Sequence, residues 1–274
     1  MTDAPRDSVT STAGDPLPTV LLYAPRERTR TLVRAALPRR RFRLVSARSF
    51  DDMSAAFRSE LVDAAIVDLS AATDETWRVA GLAREYPSAP FFGISALRAA
   101  DGPSLAQCAA LDFCDLLIEG VDDAAIRDIV SRQSFSMRFA HALRAPPEVL
   151  GLVTDLQRAA WTWIVARAGR QVRTASLAQA LGVTREHLSR TFSAAGAPNL
   201  KRVIDLVRLL AAAELAKNPG YDVRDVAQVL DFASGSHLSS TAQRVVATRP
   251  TSLARLRAVD LVERFSRGGA RSRG

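Results

Sequence analysis

A short run of residues in the second half of the chain combines two apolar side chains with four polar ones at helical spacing. Leu188 and Phe192 are four residues apart and would share the buried face of a helix, for which Thr184 is a suitable N-terminal cap. The outward face would then carry Arg185, Glu186, Ser189 and Arg190. Arginine can donate two parallel hydrogen bonds to guanine, and a helix of this kind fits a major groove. The pattern therefore predicts contacts with base edges and phosphates.

A second stretch repeats this pattern. Residues 177–192 and 226–242 each consist of a short predicted helix, a turn and a second predicted helix. The repeated positions are Ala178 and Ala227 at the helix contact, Gly182 and Asp231 in the turn, and Leu188 and Leu238 in the second helix. Two helices that cross steeply need a small residue at their contact and a left-handed residue in the turn. The repeat predicts two helix-turn-helix units.

The net positive charge of the chain belongs to the half that holds these units. Residues 151–274 contain 19 basic and 9 acidic side chains, a net charge of +10, whereas residues 1–150 contain 18 and 20, a net charge of −2; together they give the +8 of the whole chain. A basic domain gains free energy from a polyanion because the neutralised phosphates release counterions. The charge distribution favours a nucleic-acid partner.

One long helix is predicted between the two units, at Leu200–Lys217. Its eighteen residues would span roughly 27 Å, close to the ~34 Å between successive major grooves on one side of a duplex. Such a helix would hold both recognition helices against the same face of DNA. The alternative is an ordinary helical bundle in which alanine and glycine serve only for packing.

The first half shows a different rhythm. Apolar runs of three to five residues alternate with segments of helical length, an order typical of a doubly wound α/β domain. The predicted strands are Thr19–Tyr23, Phe42–Ser46, Ala64–Val67, Phe91–Ile94 and Leu116–Ile118. After the break at Ala145-Pro146-Pro147 only helices are predicted, at Glu148–Ala168, Ser176–Leu181, Arg185–Ala194, Leu200–Lys217, Val223–Leu230, Ser236–Val246 and Thr251–Phe265. The predicted fold class is α/β plus all-α.

Residues 172–258 resemble the DNA-binding domain of AraC-type transcription regulators. The resemblance is carried by Leu188-Ser-Arg-Thr-Phe192, Val226-Ala, Phe232-Ala-Ser-Gly-Ser-His-Leu238 and Thr248-Arg-Pro250. It implies seven helices, two recognition helices in major grooves and control of transcription initiation at promoters.

Site residues follow from this resemblance by position. The first recognition helix would offer Glu186, Ser189 and Arg190 to base edges, with Arg185 near a phosphate. The second would offer Gly235, Ser236 and Ser240, with Gln243 and Arg244 nearer the backbone. The second unit departs from the family, because Asp231 replaces the turn glycine, and Leu238 and Ala242 replace paired phenylalanines. We therefore expect the first unit to dominate specificity and the second mainly to contact phosphates.

Residues 19–132 resemble a response-regulator receiver domain, which implies a flavodoxin-like five-stranded parallel sheet. Asp68 stands at the phosphoacceptor position and Ser95 at the hydroxyl position. The acidic pair that would hold Mg²⁺ is replaced by Ala24 and Pro25, and the lysine that would sense a phosphoryl group is Glu119. We expect a pseudo-receiver in which Asp68 is a helix cap or surface acid rather than a phosphorylation site.

The expected organisation is a disordered tail at 1–17, a pseudo-receiver at 18–132, a linker at 133–148, an AraC-type domain at 149–266 and a basic tail at 267–274. No glycine-rich phosphate loop follows the first strand, so an enzyme is not expected. Cys108 and Cys114 are predicted as buried side chains, and no metal or cofactor is expected. The polar N-terminus lacks the apolar core of a secretion signal, which indicates a cytoplasmic protein.

The main hypothesis is a transcription regulator that binds double-stranded DNA and forms a homodimer through its N-terminal domain, with RNA polymerase or another regulator as a further partner and no role for a membrane. One alternative is a response regulator controlled by phosphorylation of Asp68. Another is an adaptor that has lost DNA binding, which would show little salt-dependent affinity for a duplex.

Overall fold

The structure, a computed structural model, describes residues 16–70, 72–98, 101–193 and 196–270, without the side chains of 269 and 270. Its N-terminal half contains a five-stranded parallel sheet in the order β2-β1-β3-β4-β5. The strands are β1 (Thr19–Tyr23), β2 (Arg43–Ala47), β3 (Val62–Asp68), β4 (Phe91–Ser95) and β5 (Asp115–Ile118). This is the flavodoxin-like order, as predicted.

Five helices cover the two faces of this sheet. They are α1 (Glu27–Ala36), α2 (Phe50–Ser59), α3 (Asp74–Glu85), α4 (Gly102–Ala110) and α5 (Ile126–Gln133). Side chains of α2 and α3, such as Phe57 and Leu82, build one apolar layer, and those of α1 and α5, such as Val33 and Val130, build the other. Every residue of β1 and β3 is buried, because both faces of a doubly wound sheet are covered.

The C-terminal half is helical. Its helices are α7 (Asp155–Val165), α8 (Thr174–Ala180), α9 (Arg185–Phe192), α10 (Leu200–Leu215), α11 (Val223–Val229), α12 (Gly235–Val246) and α13 (Ala258–Ala270). The described residues thus contain the seven helices implied by the resemblance. Helix α10 is buried along almost its whole length and is the centre of this core.

Two of the long predicted helices are wrong. The first, Glu148–Ala168, is a 3-10 turn at Glu148–Leu150 followed by a left-handed Gly151 with φ of 59°. Helix α7 begins only after Thr154, whose side chain caps it. The second, Thr251–Phe265, is a 3-10 turn at Pro250–Arg255 followed by α13. Residues 267–270 of the predicted basic tail belong to that helix, and 1–15 and 271–274 lie outside the described residues.

Residues 133–148, predicted as a linker, contain a further helix, α6 (Phe135–Ala142). Phe135, Phe139 and Leu143 are buried in the same apolar core as α7 and α10. The indole Nε1 of Trp161 donates a hydrogen bond to the carbonyl oxygen of Leu143 at 2.8 Å. The segment is therefore a packed part of the C-terminal core and not a spacer.

Helix α2 packs against α11, so that the receiver-like half contacts the second helix-turn-helix unit. The Tyr221 hydroxyl donates to the carbonyl oxygen of Phe57 at 3.0 Å. The Phe57 ring is stacked on Tyr86, with centroids 4.1 Å apart. Gly220 lies so close to this ring that an added Cβ would stand 2.6 Å from the Cζ of Tyr86. Only glycine fits at this contact.

Polar bonds hold the two halves together at two further points. Asn218 and Ser88 are joined by two hydrogen bonds of 2.8 Å. The backbone N–H of Ser88 donates to Oδ1 of Asn218, and Nδ2 of Asn218 donates to Oγ of Ser88. Arg170 pairs with the buried Asp63 at the start of β3, at 2.9 Å. The hydrogen bonds of Asn218 and the aromatic contacts fix the turn between α10 and α11 against the sheet domain, and Arg170 fixes the segment after α7.

The two cysteines differ in exposure. Cys108 is buried, and burial raises the pKa of its thiol to about 11, whereas Cys114 is exposed. The prediction that both are buried is wrong for Cys114, because β5 is an edge strand with an exposed beginning. Within the described segments, no three His, Cys, Asp or Glu side chains are grouped to hold a metal, and none of the helices could span a membrane.

Candidate nucleic-acid interface

The first helix-turn-helix unit consists of α8, a turn and α9. Ala178 and Leu188 are buried at the contact between the two helices, and Gly182 adopts the left-handed conformation with φ of 66°. Thr184 caps α9 by accepting the backbone N–H of His187 at 3.1 Å, as predicted. Gln157 of α7 donates to the carbonyl oxygen of Phe192 at the end of α9, at 2.7 Å. The first unit is therefore fixed by α7, a helix of its own domain.

All four predicted side chains of α9 are exposed: Arg185, Glu186, Ser189 and Arg190. The side chains of Arg185 and Glu186 are 67% and 78% exposed to solvent. Nε of Arg185 lies 4.0 Å from Oε1 of Glu186, which makes a weak ion pair. The face is thus polar, solvated and open for a ligand, on a helix whose other side is fixed by Leu188 and Phe192.

The second unit consists of α11, a turn and α12. Asp231 adopts a left-handed conformation with φ of 54°, as its position predicts. Ser234 caps α12 by accepting the N–H of His237 at 3.1 Å. Leu238 and Ala242 are both buried. The backbone geometry of a helix-turn-helix is retained in spite of the smaller side chains.

The predicted contact residues of α12 offer few free groups. Gly235 is half-buried, and Ser236 and Ser240 are exposed. Ser240 already donates its hydroxyl to the carbonyl oxygen of His237 at 3.0 Å. The exposed Gln243 lies further along the helix. Short side chains of this kind extend less far from the helix than arginine does.

Arg244, predicted to lie near the DNA backbone, forms an ion pair with Asp205 of α10, with Nη2 and Oδ2 2.9 Å apart. Its side chain remains 60% exposed. Burial raises the pKa of Asp205, against the attraction of Arg244 and Arg208. The pair ties the second recognition helix to α10 and holds a guanidinium at the surface between the two units.

A cleft of about 480 Å³ lies between the two recognition helices, above α10. We call it the basic saddle. The charged residues that line it are the cations Arg173, Arg185, Lys201, Arg208 and Arg244 and the acid Asp205; His237 lines it as well. Sequence reasoning missed Arg173, Lys201, Arg208 and His237. A signal existed: Lys201, Asp205 and Arg208 follow one another at four and three residues, the spacing of one helix face.

Arg208 is the buried member of the saddle, with 6% of its surface exposed. Its Nη2 donates to the carbonyl oxygen of Leu230 at 2.8 Å, at the end of α11, and its guanidinium lies 3.7 Å from the ring centroid of Phe232. Burial lowers its pKa. Its Nε has no hydrogen-bond partner within the described part of the chain. An anion in the saddle would satisfy a buried positive charge that is only partly compensated.

Asp68 lies at the end of β3 and is fully buried, so the expectation of a surface acid is wrong. Arg26 covers it: Nε is 3.1 and 2.9 Å from the two carboxylate oxygens, and Nη2 is 2.7 Å from Oδ1. The same guanidinium is hydrogen-bonded to Glu119, which also accepts from Thr29 at 3.0 Å. Burial opposes the charge of Arg26, but the bonds to Asp68 and Glu119 raise its pKa. Asp68 also accepts the N–H of Ser70 at 3.1 Å.

These residues do not fit the Mg²⁺ site of a receiver. A magnesium ion needs several oxygen ligands in octahedral array, and Ala24 and Pro25 supply no carboxylate. The guanidinium of Arg26 provides the positive charge between Asp68 and Glu119. Ser95 is also engaged, since its hydroxyl donates to Asp101 at 2.7 Å. Asp68, Arg26 and Glu119 thus form an ion-pair cluster at the carboxyl end of the sheet.

Comparison with known families matches residues 177–255 to a family described as a helix-turn-helix domain, which confirms the AraC-type resemblance of this segment. Comparison with curated proteins gives no match. A response regulator from Thermotoga maritima is 18% identical over 42% of this chain and 96% of its own, with a TM-score of 0.36. A response regulator protein from Burkholderia pseudomallei with a phosphorylated aspartic acid is 16% identical over 65% of this chain and 99% of its own, with a TM-score of 0.35.

Proposed function

We propose that this chain, whose residues 177–255 form an AraC-type helix-turn-helix domain, is a sequence-specific transcription regulator that acts in the cytoplasm without phosphorylation of its receiver-like domain. The observation that carries the proposal is the basic saddle between two recognition helices. Helix α10 has sixteen residues and spans roughly 24 Å. With α9 and α12 at its sides, a duplex crossing the saddle would present its backbone to the cations and a major groove to each helix.

In this proposal, helix α9 reads the base sequence. Arg190, Ser189 and Glu186 contact base edges, and Arg185 contacts a phosphate at the margin of the saddle. On α12, Ser236, Ser240 and the backbone near Gly235 lie against the duplex, while Gln243 and Arg244 contact its backbone. The saddle residues Arg173 and Lys201 neutralise phosphates and add affinity without sequence preference.

The two lysines of the chain provide a matched test, because Lys201 lines the saddle and Lys217 lies beyond the other end of α10. Affinity of the full chain for a mixed-sequence duplex is measured as a function of salt concentration. We expect Lys201→Ala to reduce the slope of log K against log salt by about one, and Lys217→Ala to leave it unchanged. A wild-type chain without salt-dependent affinity would reject the proposal in favour of an adaptor that has lost DNA binding.

The receiver-like domain is proposed to act as a signal-input or dimerisation module. The support is the ion-pair cluster, in which Arg26 covers both oxygens of a fully buried Asp68. A phosphodonor would have to displace that guanidinium and work without a complete metal site. We expect no label from radioactive acetyl phosphate with Mg²⁺. Stoichiometric labelling that disappears in Asp68→Ala would instead establish a phosphorylation-controlled regulator.

A further inference from the structure

A second cavity lies at the junction of the two halves, away from the basic saddle. Its volume is about 420 Å³, within the range of roughly 300–1,000 Å³ for ligand pockets. We call it the junction pocket. It is lined by the loop after α3, by α6, by the C-terminal part of α10 and by the first residue of α13; the residues used below are Ser88, Arg138, Phe139, Ala142, Leu210 and Lys217.

The floor of the junction pocket is apolar and rigid. Phe135 and Phe139 are stacked with centroids 5.9 Å apart, and both line the cavity together with Leu210 of α10. Each of these side chains is anchored in the C-terminal core. A flat or branched hydrocarbon body would contact aromatic and aliphatic carbon here, and the removal of its apolar surface from water would favour binding.

The rim of the junction pocket carries an uncompensated cation. Lys217 is paired with Glu214 at 2.6 Å. Arg138 has no acidic partner among the described residues, and the one side-chain hydrogen bond it makes there runs from Nη2 to the carbonyl oxygen of Ser88. Four further guanidinium N–H groups of Arg138 remain for a ligand. A carboxylate or sulfonate at this rim would gain charge-assisted hydrogen bonds.

We propose that the junction pocket binds a small anionic amphiphile, with its apolar body against Phe135, Phe139 and Leu210 and its acid group on Arg138. Such a ligand would touch the receiver-like half at Ser88 and the helical half at α10. Of the saddle residues, Lys201 lies near the other end of α10 and Arg208 lies in its middle. Occupancy would therefore stabilise one arrangement of sheet domain and DNA-binding surface, and this consequence rests on the proposed function.

Two matched probes test the site on the full chain in the absence of DNA. Anilinonaphthalene sulfonate is an anionic amphiphile, and N-phenyl-1-naphthylamine has the same ring system without the acid. We expect saturable binding of the sulfonate at one molecule per chain, about tenfold tighter than the neutral probe. Equal affinities for the two probes, or binding without saturation, would overturn the proposal.

Two substitutions locate the binding. Ala142 is exposed on α6 and lines the cavity, so Ala142→Trp fills the pocket without disturbing the core and should weaken sulfonate binding at least tenfold. Arg138→Gln keeps an N–H donor for Ser88 but removes the charge, and should abolish the preference for the sulfonate. Arg132→Gln, on the exposed side of α5, is the control and should bind like the wild type. Unchanged binding in Ala142→Trp would place the probe elsewhere and overturn the site.

The regulatory consequence has its own measurement. Affinity for a duplex is determined with and without saturating sulfonate, and a change of threefold or more is expected in the wild type and not in Ala142→Trp. Sulfonate binding without an effect on duplex affinity would overturn the input role. Absence of duplex binding with intact probe binding would reject the proposed function and leave the site standing.

Discussion

The two helix-turn-helix units share one backbone design and differ in what surrounds it. The first unit packs on α7 and presents Arg185 and Arg190 to solvent. The second packs through α11 on α2 of the receiver-like half and presents glycine and serines. Both units pack on helices of their own domain, the second on α10 and α13, but the second unit also packs on the receiver-like half. On the proposed function, the first unit would read the base sequence and the second would couple the DNA-binding surface to an input.

Loss of the strongest reading group is the sharpest test of this division. Arg190→Ala should weaken binding to a specific site by roughly 5- to 150-fold, because a bidentate contact with guanine contributes about 1–3 kcal/mol. The matched change in the second unit, Ser240→Ala, should weaken it less than about threefold, since that hydroxyl is bonded to His237. Mapping of bound sites with each variant provides the measurement. Equal losses would remove the distinction between the units.

The turns of the two units should respond to substitution in opposite directions. Gly182 has φ of 66°, and Gly182→Ala forces a side chain into a left-handed conformation, which should lower the free energy of unfolding by about 1–2 kcal/mol. Urea denaturation of the full chain measures the loss. Ala180→Gly, at the exposed end of α8, controls for a general effect of helix propensity. No loss in Gly182→Ala would show that the first turn is less constrained than its φ indicates.

The link between the second unit and the sheet domain depends on a buried hydroxyl. Burial raises the pKa of Tyr221 far above its usual range, so its hydroxyl donates to Phe57 at all ordinary pH values. Tyr221→Phe should lower the unfolding free energy by about 1 kcal/mol. It should also increase amide exchange in α11 more than in α8. An equal increase in amide exchange in α11 and α8 would contradict the view that only the second unit is anchored on the sheet domain.

The smallest expected effect is a gain. Asp231 is strained because its backbone is left-handed, with φ of 54°, and Asp231→Gly relieves this strain. The added freedom of the unfolded chain opposes this gain by about 0.4–1 kcal/mol. A net stabilisation of about 0.5 kcal/mol is expected from the same urea experiment. Destabilisation would indicate that the Asp231 side chain has a role beyond the turn.

Sequence patterns predicted those parts of the molecule that depend on neighbours along the chain. All five strands lie within about two residues of their predicted bounds, because each is a compact β-branched or aromatic run. The cap Thr184, the buried Leu188 and the exposed Arg190 follow from helical periodicity alone. The break before α7 was also readable, since Thr154 and Gln157 form a capping box that the longer helix prediction ignored.

Features that unite distant residues were missed. The partner of Asp68 is Arg26, 42 residues away in sequence, and Arg26 also bonds Glu119, 93 residues from it; only the folded sheet brings the three together. The saddle likewise joins Arg173, Lys201 and His237 from three elements. When a site is formed by side chains from several elements, no periodic pattern along the sequence reveals it.

The close approach of Gly220 to the Tyr86 ring limits how this architecture can be recombined. A graft of these helices onto a different sensor would need a flat aromatic surface in the same place and no larger residue at 220 in the recipient turn. Phe135, Phe139 and Leu143 would have to travel with the helices, since they fill the same core. Chimeras joined at residue 134 are expected to fold, and those joined at 149 are expected to aggregate.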